Sequence, residues 1–159
     1  MARFRYSMQS ILNIKLKMET QAKQEFSAAR AVLDAEEEKL QQLLDRKAGY
    51  EKEAERLLAG NLNLRDIEEN KTAILCMDSF IAGQRDKVRT AEKNLETARV
   101  KLTEVMTERK THETLKEKAF EQFLEDEKRQ ESKEVDELTS YKYGERRKID
   151  GKNSVSAQN

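Results

Sequence analysis

The sequence predicts an all-α fold: a long antiparallel two-helix coiled-coil hairpin whose second helix overhangs the first and ends in a disordered C-terminal tail. Two stretches repeat apolar residues at alternating steps of three and four, the spacing that keeps one narrow stripe facing a partner helix. A turn signal at residues 60–63 separates these stretches. The chain contains no proline, so neither predicted helix is interrupted by a proline kink or break.

The longer stripe runs through residues 74–123. Eleven of its fifteen positions are apolar, and the residues between them are mostly charged residues, Thr and Gln. Such a pattern predicts a helix that packs along a partner over many turns. The stripe positions are Ile74, Met77, Ile81, Gln84, Val88, Ala91, Leu95, Ala98, Leu102, Val105, Arg109, His112, Lys116, Ala119 and Phe123.

A second stripe predicts the first helix, over about residues 4–59. Nine of its eleven positions are apolar. Its positions are Ala22, Phe26, Ala29, Leu33, Glu36, Leu40, Leu43, Lys47, Tyr50, Ala54 and Leu57. We expect this helix to end at Gly60, because glycine adopts the left-handed conformation of a helix C-cap without a steric cost.

The next helix is expected to begin at Asn63 and to extend over residues 64–141. The Asn63 side chain can cap the free amides, and Asp66 would lie at the positive end of the helix dipole. Leu62 and Ile67 have the spacing of a hydrophobic staple. Residues 144–159 show no periodicity and are predicted to form the disordered tail.

A turn this short makes the two helices antiparallel, so residues whose numbers sum to about 124 should face each other. Four of the resulting pairs place a large residue against an alanine, which interdigitation at uniform helix separation requires. The same rule places Phe4 near Phe120 and Lys15 opposite Arg109, so we expect the stripe to drift or fray near the termini. The expected pairs are Leu57/Ile67, Tyr50/Ile74, Leu43/Ile81, Leu33/Ala91, Ala29/Leu95, Phe26/Ala98 and Ala22/Leu102.

The composition suits a coiled coil better than a globular core. The 159 residues are 39% charged and only 36% hydrophobic, and fifteen of the apolar residues are Ala. The 31 basic and 31 acidic residues cancel, so we expect no nucleic-acid partner. A single cysteine and the lack of an apolar run near the ~20 residues of a membrane span predict an intracellular protein without an integral membrane segment.

Signals of catalysis are missing from the sequence. His112 is the only histidine and lies on the stripe, and Cys76 has no CxxC partner. A two-helix hairpin offers no water-excluding pocket in which catalytic groups could converge. We therefore expect no enzyme activity, no cofactor and no metal site.

Two surfaces are candidates for partner binding. Leu44 and Phe80 lie off the stripes and their numbers sum to 124, which predicts one apolar patch with Leu43, Tyr50, Met77 and Ile81. Extra packing of the hairpin explains the patch equally well. Residues 1–18 are basic and partly apolar, which fits the first turns of a helix, a docking patch, or a transit or interfacial membrane helix.

The chain opens with FRYSMQSILNIK and carries the run EEEKLQQLL before the turn near residue 60. Its second helix is charged and ends in a basic tail. Together these features resemble the flagellar export protein family FliJ. The resemblance covers residues 1–148. It implies a cytoplasmic component of the flagellar type III export apparatus, peripherally associated with the inner face of the cell membrane at the flagellar base.

The same resemblance implies a non-enzymatic protein similar to the central stalk of rotary ATPases that also escorts chaperones. Its implied partners are the hexameric flagellar export ATPase, an export-gate membrane protein and export chaperones. By position, gate contacts would fall on Leu43, Arg46, Tyr50, Met77 and Phe80, and the predicted patch adds Leu44 and Ile81. Candidates at the ATPase-facing terminal end are Phe4, Arg5, Tyr6, Phe123 and Leu124.

Two other functions remain open from the residues alone. A generic structural coiled coil, acting as a scaffold or adaptor and including homo-oligomeric scaffolds, needs only the stripes. A peripheral membrane protein would use residues 1–18.

Overall fold

The computed structural model describes residues 2–156 of the chain. Two helices account for most of them, α1 at Gln9–Ala59 and α2 at Leu64–Ser156, and no strand occurs in the described part. The all-α two-helix hairpin is therefore confirmed. The chain divides into two compact units: one contains residues 14–109, and the other contains the described residues of 1–13 and 110–159.

The turn between the helices is organised by Asn63. Its side-chain Oδ1 accepts a hydrogen bond from the Arg65 amide at 3.1 Å, and its carbonyl accepts one from the Ile67 amide at 3.1 Å. Asn63 thus caps α2 as expected. The left-handed cap at Gly60 is wrong, because none of the five glycines, all within residues 2–156, has a positive φ. Leu62 stays 67% exposed, so it adds little burial as a staple.

In the unit of residues 14–109, the predicted stripes form the buried interface between the helices. Leu33, Val88 and Ala91 form a buried core cluster, against which Leu40 and Leu95 pack. The predicted contact of Leu33 with Ala91 is therefore confirmed. All fifteen stripe positions of α2 and ten of the eleven of α1 are buried or half-buried, the exception being Tyr50 at 38% exposure.

Polar contacts between the two helices report the register independently of the apolar stripe. Lys47 pairs with Asp78 at 2.7 Å, and Lys101 pairs with Glu25 at 2.8 Å. Both pairs sum to within two of 124, which agrees with the register set by the turn.

The pairing rule would place Lys15 opposite Arg109, and the sequence predicted that the stripe drifts or frays here. Lys15 pairs with Glu108 at 2.7 Å, and Arg109 contacts the buried Glu19 carboxylate. Each base finds an acid on the other helix, because a small drift in register exchanges the partners. The interface therefore stays complementary at this end of the unit instead of fraying.

In the other unit, residues 2–6 are not helical, whereas the sequence predicted helix from about residue 4. Phe4 packs against Phe120 and Phe123, with ring centroids 5.1 and 5.4 Å apart. α1 begins at Gln9, whose amide donates to the Tyr6 carbonyl at 3.1 Å. Packing of the Phe4 ring against α2 competes with helical hydrogen bonding in these residues, which is why α1 begins later than its propensity suggests.

The last part of α2 differs from the predicted tail. The sequence predicted helix to about residue 141 and disorder over residues 144–159, whereas α2 is helical through residues 144–156. Every side chain from residue 128 to residue 155 is exposed, so this segment is held by its own backbone hydrogen bonds and by pairs along the helix. Missing apolar periodicity excludes packing but does not exclude a helix of Lys, Arg and Glu. Residues 157–159 lie outside the described residues.

Neither helix, over the part of the chain that the structure describes, has a segment long and apolar enough to cross a membrane.

We predict that Ala91→Leu destabilises the protein by ~1–3 kcal/mol, because Ala91 is 3% exposed and faces Leu33 across a filled interface. Urea unfolding followed by circular dichroism measures the change. Ala48→Leu is the matched control, since Ala48 is exposed on α1. Equal stability of the two variants would contradict the packing of Ala91 against α1.

Candidate partner-binding site

The hairpin of residues 14–109 has two flanks with different chemistry. A residue that immediately precedes a stripe position on α1 faces a residue that immediately precedes a stripe position on α2. The Glu25–Lys101 salt bridge joins one such pair. We call this side the Phe80 flank, defined by Lys39, Arg46, Phe80 and Lys87. Residues that follow a stripe position lie on the opposite side, which we call the Leu75 flank, defined by Leu44, Leu58 and Leu75.

The predicted neighbours Leu44 and Phe80 lie on different flanks. Leu44 follows the stripe residue Leu43, whereas Phe80 precedes the stripe residue Ile81. In an antiparallel pair, a following position meets a following position, so a number sum of 124 does not bring these two side chains together. The single apolar patch that the sequence predicted is therefore divided between two surfaces.

An open cleft of about 720 Å³ lies on the Phe80 flank. Its lining combines long cationic and amide side chains with the edge of the stripe residue Leu43, and it includes one carboxylate. The lining residues are Lys39, Gln42, Leu43, Asp45, Arg46 and Gln84. The cleft is a shallow groove between side chains, and such a shape suits contact with another protein better than enclosure of a small substrate.

Gln84 anchors the base of this cleft. It is 7% exposed, and its Nε2 donates to the Glu36 carbonyl at 3.0 Å and also to the Glu36 carboxylate. The hydrogen bond from Gln84 lowers the pKa of Glu36, and the charges of Lys39 and Lys87 lower it further. Burial raises this pKa, but by less than the Gln84 hydrogen bond lowers it. The Glu36 carboxylate therefore interacts electrostatically with one lysine from each helix.

The predicted gate residues divide by exposure. Met77 and Ile81 are 8% and 6% exposed and belong to the helix interface, while Leu43 and Leu44 are half-buried. Exposed members are Arg46, Tyr50 and Phe80, of which Phe80 is 59% exposed. A partner can touch the second group directly, while the first holds it in place. The partner-binding role of all seven stays a prediction.

The predicted residues of the terminal end lie in the other unit. Phe4 and Phe123 are half-buried against each other, and Phe120, which the candidate set lacked, completes the aromatic cluster. Arg5 and Leu124 are exposed. Their role in binding stays a prediction.

Two buried polar atoms lie in this unit without a hydrogen-bond partner, the Tyr6 hydroxyl and His112 Nδ1. The Tyr6 ring is half-buried, and its hydroxyl is the buried part.

A second groove on the Leu75 flank was not predicted. It encloses about 350 Å³ and is almost entirely apolar. Its signal in the sequence was the pair Leu58 and Leu75, each directly after a stripe position. The lining residues are Ala54, Leu57, Leu58, Ile67, Asn70, Lys71, Ile74 and Leu75.

Among residues 2–156, no three His, Cys, Asp or Glu side chains are placed to hold a metal ion. Cys76 is exposed.

The model of the family "Flagellar FliJ protein" matches residues 4–148 of the chain. The chain belongs to the FliJ family. A solved structure of a YscO homologue, CT670 from Chlamydia trachomatis, is similar to the chain with a TM-score of 0.63 and 25% sequence identity, over 87% of this chain and 94% of that one. No curated protein matches the sequence.

Membership of the FliJ family makes the protein a component associated with flagellar type III export. The matched residues include the whole unit of residues 14–109, most of the other unit and both candidate surfaces. The similarity to the YscO homologue is a similarity of fold over most of both chains.

For this FliJ-family chain we predict a loss of stability as the pH falls below 4.5, the ordinary pKa of a glutamate. The pKa of Glu36 is lower in the folded state, so the unfolded state takes up the proton first, and the stabilisation present above pH 4.5 disappears as the pH falls through the lowered value. The same holds for Glu53 beside Arg56 and for Glu96 beside Arg99, whose pKa values are lowered by hydrogen bonds.

The Glu36 share of this dependence can be isolated with Gln84→Leu. Urea midpoints measured between pH 7 and pH 3 should fall less steeply for this variant than for the wild type. Gln42→Leu, in the same cleft but without a hydrogen bond to Glu36, should keep the wild-type slope. An unchanged slope in Gln84→Leu would contradict the assignment.

Proposed function

We propose that the protein is a non-enzymatic, central-stalk-like and chaperone-escort component of flagellar protein export that couples the hexameric export ATPase ring to the export gate. It would act in the cytoplasm, peripherally associated with the inner face of the cell membrane at the flagellar base. The observation that carries the proposal is the family match over residues 4–148, which takes in the whole unit of residues 14–109 and most of the other unit.

The unit that contains the termini is the proposed ATPase-facing part. Its exposed residues Arg5 and Leu124 lie beside the cluster of Phe4, Phe120 and Phe123, so the aromatic packing fixes where they stand. The α2 side chains of residues 128–155 are all exposed, and residues 121–137 carry eight acids and three bases. The exposed, charged side chains of this segment support a role in which a larger ring surrounds it.

The hairpin unit is the proposed gate-facing part, through the Phe80 flank. Exposed aromatic and arginine side chains dominate the energetics of many protein interfaces, and Arg46, Tyr50 and Phe80 supply both kinds here. The buried Met77 and Ile81 support this surface from below. Escort of export chaperones follows from the family resemblance alone, and we assign no residue to it.

The stalk proposal predicts that substoichiometric protein stimulates ring assembly and ATP turnover of the export ATPase. A chain truncated after Glu127 should lose this stimulation while keeping the urea midpoint of the full chain, since the removed side chains are exposed. Stimulation would be measured as phosphate release at several ratios of chain to ATPase. Self-association of the chain in sedimentation, with no effect on the ATPase, would instead favour a structural scaffold.

For the gate, we predict that Phe80→Asp weakens binding to the export-gate protein by about tenfold or more, because it removes an exposed aromatic contact and adds an acid. Titration calorimetry measures the affinity, and circular dichroism should show unchanged helicity. Leu75→Asp is the matched control, since Leu75 is exposed to a similar extent on the other flank. Equal affinity of Phe80→Asp and wild type would dismiss the Phe80 flank as the gate surface.

A further inference from the structure

On the Phe80 flank, the positions that immediately precede a stripe position carry no acid over about two heptads, and Asp45 is a carboxylate that lines the cleft beside them. These residues are the ten that immediately precede a stripe position within residues 35–50 and 76–90, and all ten are exposed. They include three bases and one phenylalanine. They are Ala35, Lys39, Gln42, Arg46 and Gly49 on α1, and Cys76, Phe80, Gly83, Lys87 and Thr90 on α2.

The Leu75 flank at the same level is mixed in charge. The residues that immediately follow the same stripe positions include four acids and two bases. They are Glu37, Gln41, Leu44, Ala48 and Glu51 on α1, and Asp78, Ala82, Arg85, Arg89 and Glu92 on α2. Lys47 bridges two of these acids, Glu51 and Asp78, so this side has no excess of positive charge. The positive character of the Phe80 flank is therefore a property of one side of the hairpin and not of the hairpin as a whole.

The register places the three bases around Phe80. Glu25 and Lys101, which pair at 2.8 Å, show which preceding positions face each other. The same offset sets Lys39 opposite Lys87 and Arg46 opposite Phe80. The shift of the Glu36 pKa by both Lys39 and Lys87 agrees with the first pairing. The two levels are one heptad apart, which is about 10 Å along the helices.

The surface beside Phe80 leaves room for the backbone of a partner protein to approach the helices closely. Gly83 lies one turn beyond Phe80 on α2, and Gly49 lies on the same flank of α1. A Cβ built on either glycine would meet nothing within 4 Å. A mid-helix glycine destabilises the helix by about 1 kcal/mol relative to alanine. Because Gly83 has no side chain, none extends from that position beside Phe80.

We infer that the Phe80 flank binds an acidic amphipathic helix of a partner protein. The partner's apolar side chain would rest on Phe80, and its carboxylates would pair with Arg46 and with the facing Lys39 and Lys87. This inference rests on the proposed gate-facing role of the flank and names the chemistry of the segment that it recognises. Charge complementarity favours an acidic occupant, since the flank offers three cations, no surface acid at the preceding positions, and one aromatic anchor.

A defined probe tests the inference on the full chain. The probe is a fluorescein-labelled helical peptide of about 18 residues, rich in Glu, with Leu at two positions one turn apart. Two further peptides replace Leu by Ser or Glu by Lys. We expect the first peptide to bind in fluorescence anisotropy, with affinity falling as NaCl rises from about 50 to 300 mM. Equal binding of the Ser peptide would overturn the inference, because charge alone would then suffice.

Variants of the chain locate the contact. The double variant Lys39→Gln with Lys87→Gln should weaken binding of the peptide by about tenfold, and Phe80→Ala by about fivefold or more. Arg85→Gln with Arg89→Gln is the matched control, because it removes two charges from the other flank. It should stay within about twofold of wild type. Equal weakening by the two double variants would overturn the inference.

Two further outcomes separate this inference from the proposed function and from other occupants. If Phe80→Asp weakens gate binding but the acidic peptide does not bind, the gate role stands and the acidic partner is rejected. Phe80-dependent binding to vesicles containing anionic lipid, with no binding of the peptide, would assign the flank to a membrane surface and would also overturn the inference.

Discussion

The hairpin depends on the packing of large side chains on one helix against small ones on the other. Leu33 and Val88 enclose Ala91, and Leu40 and Leu95 extend the same contact along the helices. Two helices alone can bury only a narrow stripe, so a chain with 36% hydrophobic residues must place them at every third or fourth position. The remaining positions contribute little to folding. They are therefore the positions at which a surface can take on chemistry of its own.

Buried polar residues between the helices restrict how the helices can pair. Gln84 donates to the Glu36 carbonyl and carboxylate, and the buried Asn70 donates to the Tyr50 carbonyl at 3.0 Å. Apolar side chains tolerate a shift of one heptad, because the stripe repeats, whereas a buried amide displaced by one heptad would lose its partner. These contacts contribute more to the choice of register than to the total stability. They also fix the level at which Arg46 stands opposite Phe80.

Most of the fold could be predicted from the sequence, because stripes, turns and caps are local patterns. The stripe positions, the Asn63 cap and the contact of Leu33 with Ala91 all follow from spacing. The flank of Leu44 could not be predicted from number sums, since the sum gives the level along the hairpin but not the side. The non-helical residues 2–6 depend on the Phe4 ring packing against α2, a contact distant in sequence. The continued helix after residue 141 depends on local propensity, which apolar periodicity does not report.

The chemistry of the Phe80 flank runs against what would stabilise a hairpin. Lys39 and Lys87 share a level and are both cationic, and the single charge of Glu36, which pairs with Lys39 at 3.5 Å, compensates only one of the two. At the corresponding level elsewhere, Glu25 and Lys101 attract each other. Gly49 and Gly83 weaken the two helices, and Phe80 is 59% exposed although a polar residue would be better solvated. Local departures from the rules of folding are expected where a surface serves binding. Here three independent departures, in charge, backbone flexibility and exposed aromatic surface, occur on the same side of one hairpin and within three heptads. The opposite side at the same level carries four acids and two bases instead.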